Sequence, residues 1–150
     1  MLTVTELGGN HVTRAALHRR FDDVPLVDEP SNELELKPLL AVGDSDADLS
    51  ITWVAIHGRH QRLRTDASTR IYAVTAGRGT ITVGDQTLAV GRGDVVVIPR
   101  GAPYHLEGEM TYLVLNQPGF QDGDDLYLGV DDEVVATAPA PRTTPSAKEH

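Results

Sequence analysis

Between residues 49 and 118 the chain alternates short β-branched runs with turn residues, and that pattern leaves few architectures open. The runs are LSITWVAI (49–56), RIYAVTAG (70–77), GTITVG (79–84), QTLAVG (86–91), DVVVIP (94–99) and TYLVLN (111–116), with Gly, Asp and Pro between them. Val, Ile, Thr and Tyr suit a pleated, half-buried surface. Short strands at even spacing with turn signals between them predict an all-β sandwich or barrel. No helical pattern interrupts the runs, which argues against a parallel sheet with crossover helices.

The flanks read differently. Residues 1–48 form an N-terminal arm. Within it NHVTRAALHRRF (10–21) predicts a short helix with Asn10 as N-cap and Pro25 beyond its end. DDVPLVDEPSNELELKPLL (22–40) predicts an extended segment punctuated by Pro25, Pro30 and Pro38. The barrel is expected over 49–135. Residues 136–150, rich in Ala, Pro, Thr and Ser, predict a disordered tail. At 150 residues the chain is of one-domain size.

Charge narrows the partners. Thirteen Lys and Arg against 22 Asp and Glu give a net charge of −9. That argues against nucleic acid, which selects clustered basic surface, and against anionic lipid. There is no cysteine, hence no disulfide, no thiolate metal site and no cysteine nucleophile. The N-terminus lacks an apolar signal-peptide core and no run is long enough to span a bilayer, so a soluble, cytoplasmic protein without a membrane partner is expected.

Two stretches carry a spaced motif, GRHQRLRTDASTRIYAVTAGRG (58–79) and GDVVVIPRGAPYH (93–105). The chain resembles the cupins, small double-stranded β-helix proteins with a jelly-roll barrel. The first cupin motif runs Gly, five residues, His-any-His, three or four residues, Glu, six residues, Gly. With Gly58 and Gly77 as its outer glycines, the three ligand positions fall on Arg64, Asp66 and Arg70. The second motif starts at Gly93 and passes through Pro99 and Gly101. Its histidine position falls on Tyr104 and its final Asn position on Gly108. The resemblance covers about half the chain and implies the fold. It does not carry over the metal: Arg is permanently cationic and cannot ligate, whereas imidazole and carboxylate would suit a divalent ion.

Alternation puts Arg64 and Asp66 on one face and Arg70 and Tyr72 on one face. If those faces point inward, two guanidinium forks, a carboxylate and phenols would suit an anionic or enol-like small molecule. In that reading Asp66 is the base, Tyr104 the acid with its pKa lowered by a nearby Arg, and Arg70 completes the catalytic set. Arg64, Tyr72, His105 and Trp53 contact the substrate, and no cofactor is expected. A second reading weighs equally: Arg64, Asp66 and Arg70 pair with each other as a structural charge cluster. A third gathers a divalent metal on His57, His60 and His105, with Gly58 bulging to bring the first two to one face. DGDD (122–125) lacks the spacing of a calcium loop and reads as an acidic surface turn.

Three functions stay open. The first is a metal-independent acid–base enzyme of isomerase, cyclase or lyase type acting on a small anionic or polyketide-like substrate. The second is a non-catalytic ligand-binding or sensor cupin. The third is a metalloenzyme with a displaced histidine site. The resemblance also implies a homodimer joined through a sheet.

Overall fold

The computed structural model describes residues 15–139 and 141. Ten antiparallel strands make one curled sheet: β1 (Val27–Glu29), β2 (Leu34–Leu40), β3 (Ser50–Arg59), β4 (Leu63–Arg64), β5 (Thr69–Val83), β6 (Gln86–Gly91), β7 (Val95–Ile98), β8 (Tyr104–Gln117), β9 (Asp125–Leu128) and β10 (Val134–Ala138). The main path runs β1-β2-β3-β8-β4-β9-β10, and β5 pairs with β6, β7 and β8. The all-β barrel expected from the strand pattern is what forms.

RIYAVTAG and GTITVG, separate in the sequence reading, fuse into the 15-residue β5. The first half of β5 pairs with β7, the second with β6, and nearly all of it pairs with β8. The β5–β8 register slips by one residue at Thr75, between Val74 and Ala76. A bulge of this kind bends a strand and increases its twist, which lets one strand serve both halves of the barrel. Gly77 follows at φ +78°, where a Cβ would strike the Glu109 carbonyl of β8, so this glycine is required for both backbone conformation and room.

The arm is partly barrel. β2 alternates buried Leu34, Leu36 and Pro38 with half-buried neighbours and pairs with β3 over Leu34–Leu40. Its inward leucines join Val54, Ile56, Leu63, Tyr72, Val74, Ile81 and Tyr112 in one core cluster. The expected helix over 10–21 lies outside the described residues up to residue 14; residues 15–20 have no regular structure and Phe21–Asp23 is a single 3-10 turn. β10 runs past the expected barrel boundary at 135 and pairs with β9. The rest of the expected tail, apart from residues 136–139 and 141, lies outside the described residues. Among the described residues no helix is long and apolar enough to cross a membrane.

Candidate active site

The inward faces of β1, β2, β3, β5, β8 and β9 line a cavity of about 60 Å³ that opens to solvent at its mouth. Leu34, Leu36, Val54 and Val114 make apolar wall; Tyr72, Tyr112, Tyr127 and Phe120 add aromatic wall. The other polar side chains are Glu29, Thr52, His60, Arg70, Asn116 and Asp125.

Arg70 anchors one side. It lies on β5 directly across from Asn116 of β8, and it is 3% exposed. Its Nε donates to Asn116 Oδ1 at 2.6 Å, Nη1 to Tyr104 Oη at 2.8 Å and Nη2 to Asp125 Oδ1 at 2.7 Å. Burial disfavours the guanidinium charge, yet Asp125, Tyr104 and Tyr72 outweigh it and hold the Arg70 pKa well above its ordinary value. The Tyr104 and Tyr72 hydroxyls then meet at 2.7 Å. Burial pushes Tyr72 and Tyr104 above the ordinary phenol value, and Arg70 offsets this only in part. Arg70 does lower the Tyr104 pKa as expected, but desolvation is the larger effect and the net shift is upward.

His60 builds the other side. His60 follows the end of β3 and is 8% exposed. Its Nδ1 lies 2.8 Å from the Gln61 carbonyl. A carbonyl only accepts, so Nδ1 carries the ring proton and Nε2 keeps its lone pair. Burial lowers the His60 pKa below its ordinary value, with the Gln61 bond opposing, and the ring is neutral at pH 7. Nε2 has no protein partner among the described residues and is not sealed from solvent. The Tyr127 ring lies 6.3 Å away, centroid to centroid.

Several expected positions change. Arg64 and Asp66 share a face as predicted, but it is the outer one. Leu63, fully buried opposite Tyr104 and Tyr127, sets the phase of the two-residue β4, so Arg64 turns outward. There it pairs with Asp66 at 3.0 Å, both side chains partly exposed. Neither lines the cavity, so Asp66 is not placed to act as its base and the two-guanidinium pocket does not form. Trp53 also faces out, against the edge of Phe21 at 5.0 Å. Arg70 does belong to a charge cluster, but its acid is Asp125, not Asp66. Asp125, expected in an acidic surface turn, is instead buried, 8% exposed at the start of β9.

The three histidines do not converge. Gly58 stays in register opposite Gly108; it is small because a Cβ would strike the Glu33 side chain. Without a bulge, His57 faces outward between Glu35 at 3.2 Å and Glu109 at 3.3 Å, while His60 faces the cavity. His105 neighbours the fully buried Tyr104 on β8 and so takes the opposite face. Among the described residues no three His, Asp or Glu are grouped to hold a metal ion. The cupin ligand positions do not fit one either, since Arg64 and Asp66 are paired outside and Arg70 is a permanent cation with no lone pair to offer.

Residues 52–115 match the family model described as Cupin domain. The chain carries a cupin domain. One curated relative, the Streptomyces coelicolor uncharacterized protein SCO3923, is 38% identical over 55 residues, which is 35% of this cupin and 52% of that protein; the match thus spans about half of the relative's length. Among solved structures, Streptomyces Pac13 with uridine superposes with a TM-score of 0.68 at 16% identity, covering 77% of this cupin and 92% of that chain. Pac13 is described as a nucleoside dehydratase. The polyketide cyclase RemF from Streptomyces resistomycificus gives 0.57 at 21% identity over 69% and 79%. KdgF from Halomonas gives 0.59 at 17% over 68% and 94%. At these identities the likeness is one of fold.

The sequence reading missed Asn116, Asp125, Tyr127, Asn32 and Glu29 as site residues. The first could have been found: Tyr112, Val114 and Asn116 alternate through TYLVLN on one face. Asp125 and Tyr127 alternate in DLYL, a strand hidden inside an acidic stretch. Nothing local marks Glu29 or Asn32.

Proposed function

We propose that this cupin is an enzyme that binds a small molecule in the barrel cavity and moves a proton on it, in the manner of an isomerase, cyclase or lyase. The observation that carries this reading is the fixed tautomer of His60. Its proton is tied to the Gln61 carbonyl, so a neutral imidazole presents Nε2 to the cavity as a base. Asp66, the base expected from the motif, is thereby replaced.

Acids are at hand. The pKa of Tyr127 is pushed up to about 12, chiefly by burial, and Tyr72 also stays a phenol. Either can donate to an oxygen on which charge develops. Arg70 holds Tyr104, and Tyr104 holds Tyr72, so Arg70 acts as a positioning residue with no need to touch the substrate. Its guanidinium is already engaged by three partners and neutralised by Asp125, and Glu29 adds a second carboxylate to the wall. This balance disfavours the anionic substrate expected from the sequence and favours an uncharged one. That Pac13 binds uridine and RemF acts on polyketides is compatible with such a pocket.

The test is solvent exchange. The protein is incubated in deuterated water with uridine and a panel of hydroxylated aromatic polyketides, and deuterium incorporation or product is read by mass spectrometry. Wild type labels or converts at least one compound. His60→Gln lowers that rate by about 10²-fold or more, the scale of general base catalysis, with the circular dichroism spectrum unchanged. Undiminished exchange in His60→Gln refutes the base assignment. Saturable binding with neither exchange nor product leaves the non-catalytic carrier in its place.

A further inference from the structure

Asn32 is fully buried beneath the cavity wall, and its amide is fully used. The Gln61 N–H donates to its Oδ1 at 2.9 Å, which fixes which end is oxygen. Both Nδ2 hydrogens are then directed, one to Glu29 Oε2 at 2.8 Å and one to Tyr127 Oη at 3.1 Å. A carboxylate on β1 and a phenol on β9, 98 positions apart in the chain, are thus held within 3.1 Å of one nitrogen.

What remains on these two groups is complementary. Tyr127 accepts from Asn32, so its own O–H is left to donate. Glu29 has spent Oε2, and Oε1 has no hydrogen-bond partner among the described residues. Both side chains line the cavity. One fixed donor beside one fixed acceptor is the complement of a hydroxyl group, which accepts and donates at once. An anion offers acceptors only and would face the Glu29 charge.

We infer that Glu29 and Tyr127, oriented by Asn32, form a hydroxyl-recognition site, and that the ligand is a neutral, hydroxylated ring; this rests on the reading of the cavity as the substrate site. Aromatic and aliphatic walls cover the ring faces, while the pair selects the hydroxyl. The same Gln61 backbone orients Asn32 through its N–H and His60 through its C=O. Recognition and the base are therefore set by one residue's main chain.

The inference is tested with fragments on the full chain. Three scaffolds (tetrahydrofuran, cyclohexane, benzene) each carry a vicinal diol, no hydroxyl or a carboxylate, and affinities are measured by saturation-transfer NMR. The diols are expected to bind at least about tenfold better than both counterparts, since a hydrogen bond to a charged group is worth ~1.5–3 kcal/mol. Glu29→Gln turns the free acceptor into a donor, because its amide oxygen must face Asn32. This variant and Tyr127→Phe should each abolish the diol preference while binding of the plain rings persists. Rings that bind without hydroxyl preference, carboxylates that bind best, or a preference that survives Glu29→Gln overturn this inference alone. Failure of every fragment to bind overturns it together with the cavity reading.

Discussion

Removing Arg70 gives the sharpest test of how the site is held. Arg70→Met keeps the aliphatic stem and deletes the charge. Asp125, whose side chain is 11% exposed, then loses a partner at 2.7 Å, and Asn116 Oδ1 and Tyr104 Oη lose their donors. Breaking a buried pair from one side costs about 3–5 kcal/mol, because the surviving charge stays buried without compensation. A domain of this size has roughly 5–15 kcal/mol in total, so the variant should fold but weakly. The expected fall in Tm is about 6–20 °C, at ~2–4 °C per kcal/mol. Urea denaturation at pH 7 measures the loss directly. Arg70→Met combined with Asp125→Leu removes both charges and should recover at least ~2 kcal/mol of it. A loss below ~1 kcal/mol for the single variant, or no recovery in the double, would show that the Arg70–Asp125 pair does not hold this wall.

Other outcomes follow from the same geometry. In a histidine ring titration by NMR, His57 should titrate above its ordinary 6.5, chiefly through its Glu35 hydrogen bond, and His60 and His105 below it, both through burial; a His60 midpoint above 6.5 would contradict the buried, neutral base. Because the unfolded chain protonates more readily than folded His60, stability should fall as pH drops through about 6.5, and His60→Gln should flatten that fall. His57 works in the opposite direction: its contribution is present below 6.5 and fades as pH rises through its raised value. Gly77→Ala meets the Glu109 carbonyl at positive φ and should cost more than ~2 kcal/mol, whereas Gly84→Ala, at φ +61° with open space around it, should cost about 1; equal costs in chemical denaturation would refute the close approach. Arg64→Ala removes only a partly exposed pair with Asp66 and should change stability by less than ~1 kcal/mol and leave turnover unchanged; a loss of activity would return Arg64 to the site.

What the sequence alone determined is the set of local properties. β-Branched runs bounded by Gly, Asp and Pro defined the strands because side-chain period and turn conformation are properties of neighbouring residues. The same alternation correctly coupled Arg70 to Tyr72 and Arg64 to Asp66. It could not say which couple faces inward, since phase depends on what the opposite strands bury, and on β4 the fully buried Leu63 decides it. The tertiary structure alone chose partners. The curl of the sheet carries Asp125 to Arg70 across 55 positions and Tyr127 to Asn32 across 95, and those contacts leave no local trace. The replaced ligand positions invited a chemistry built from Arg64, Asp66, Arg70 and Tyr104. The folded barrel keeps Arg70 and Tyr104 as scaffold and turns Arg64 and Asp66 out to water. It turns His60, Glu29 and Tyr127 toward the cavity, because enclosure within a curled sheet is decided by strand register and not by any residue's own identity.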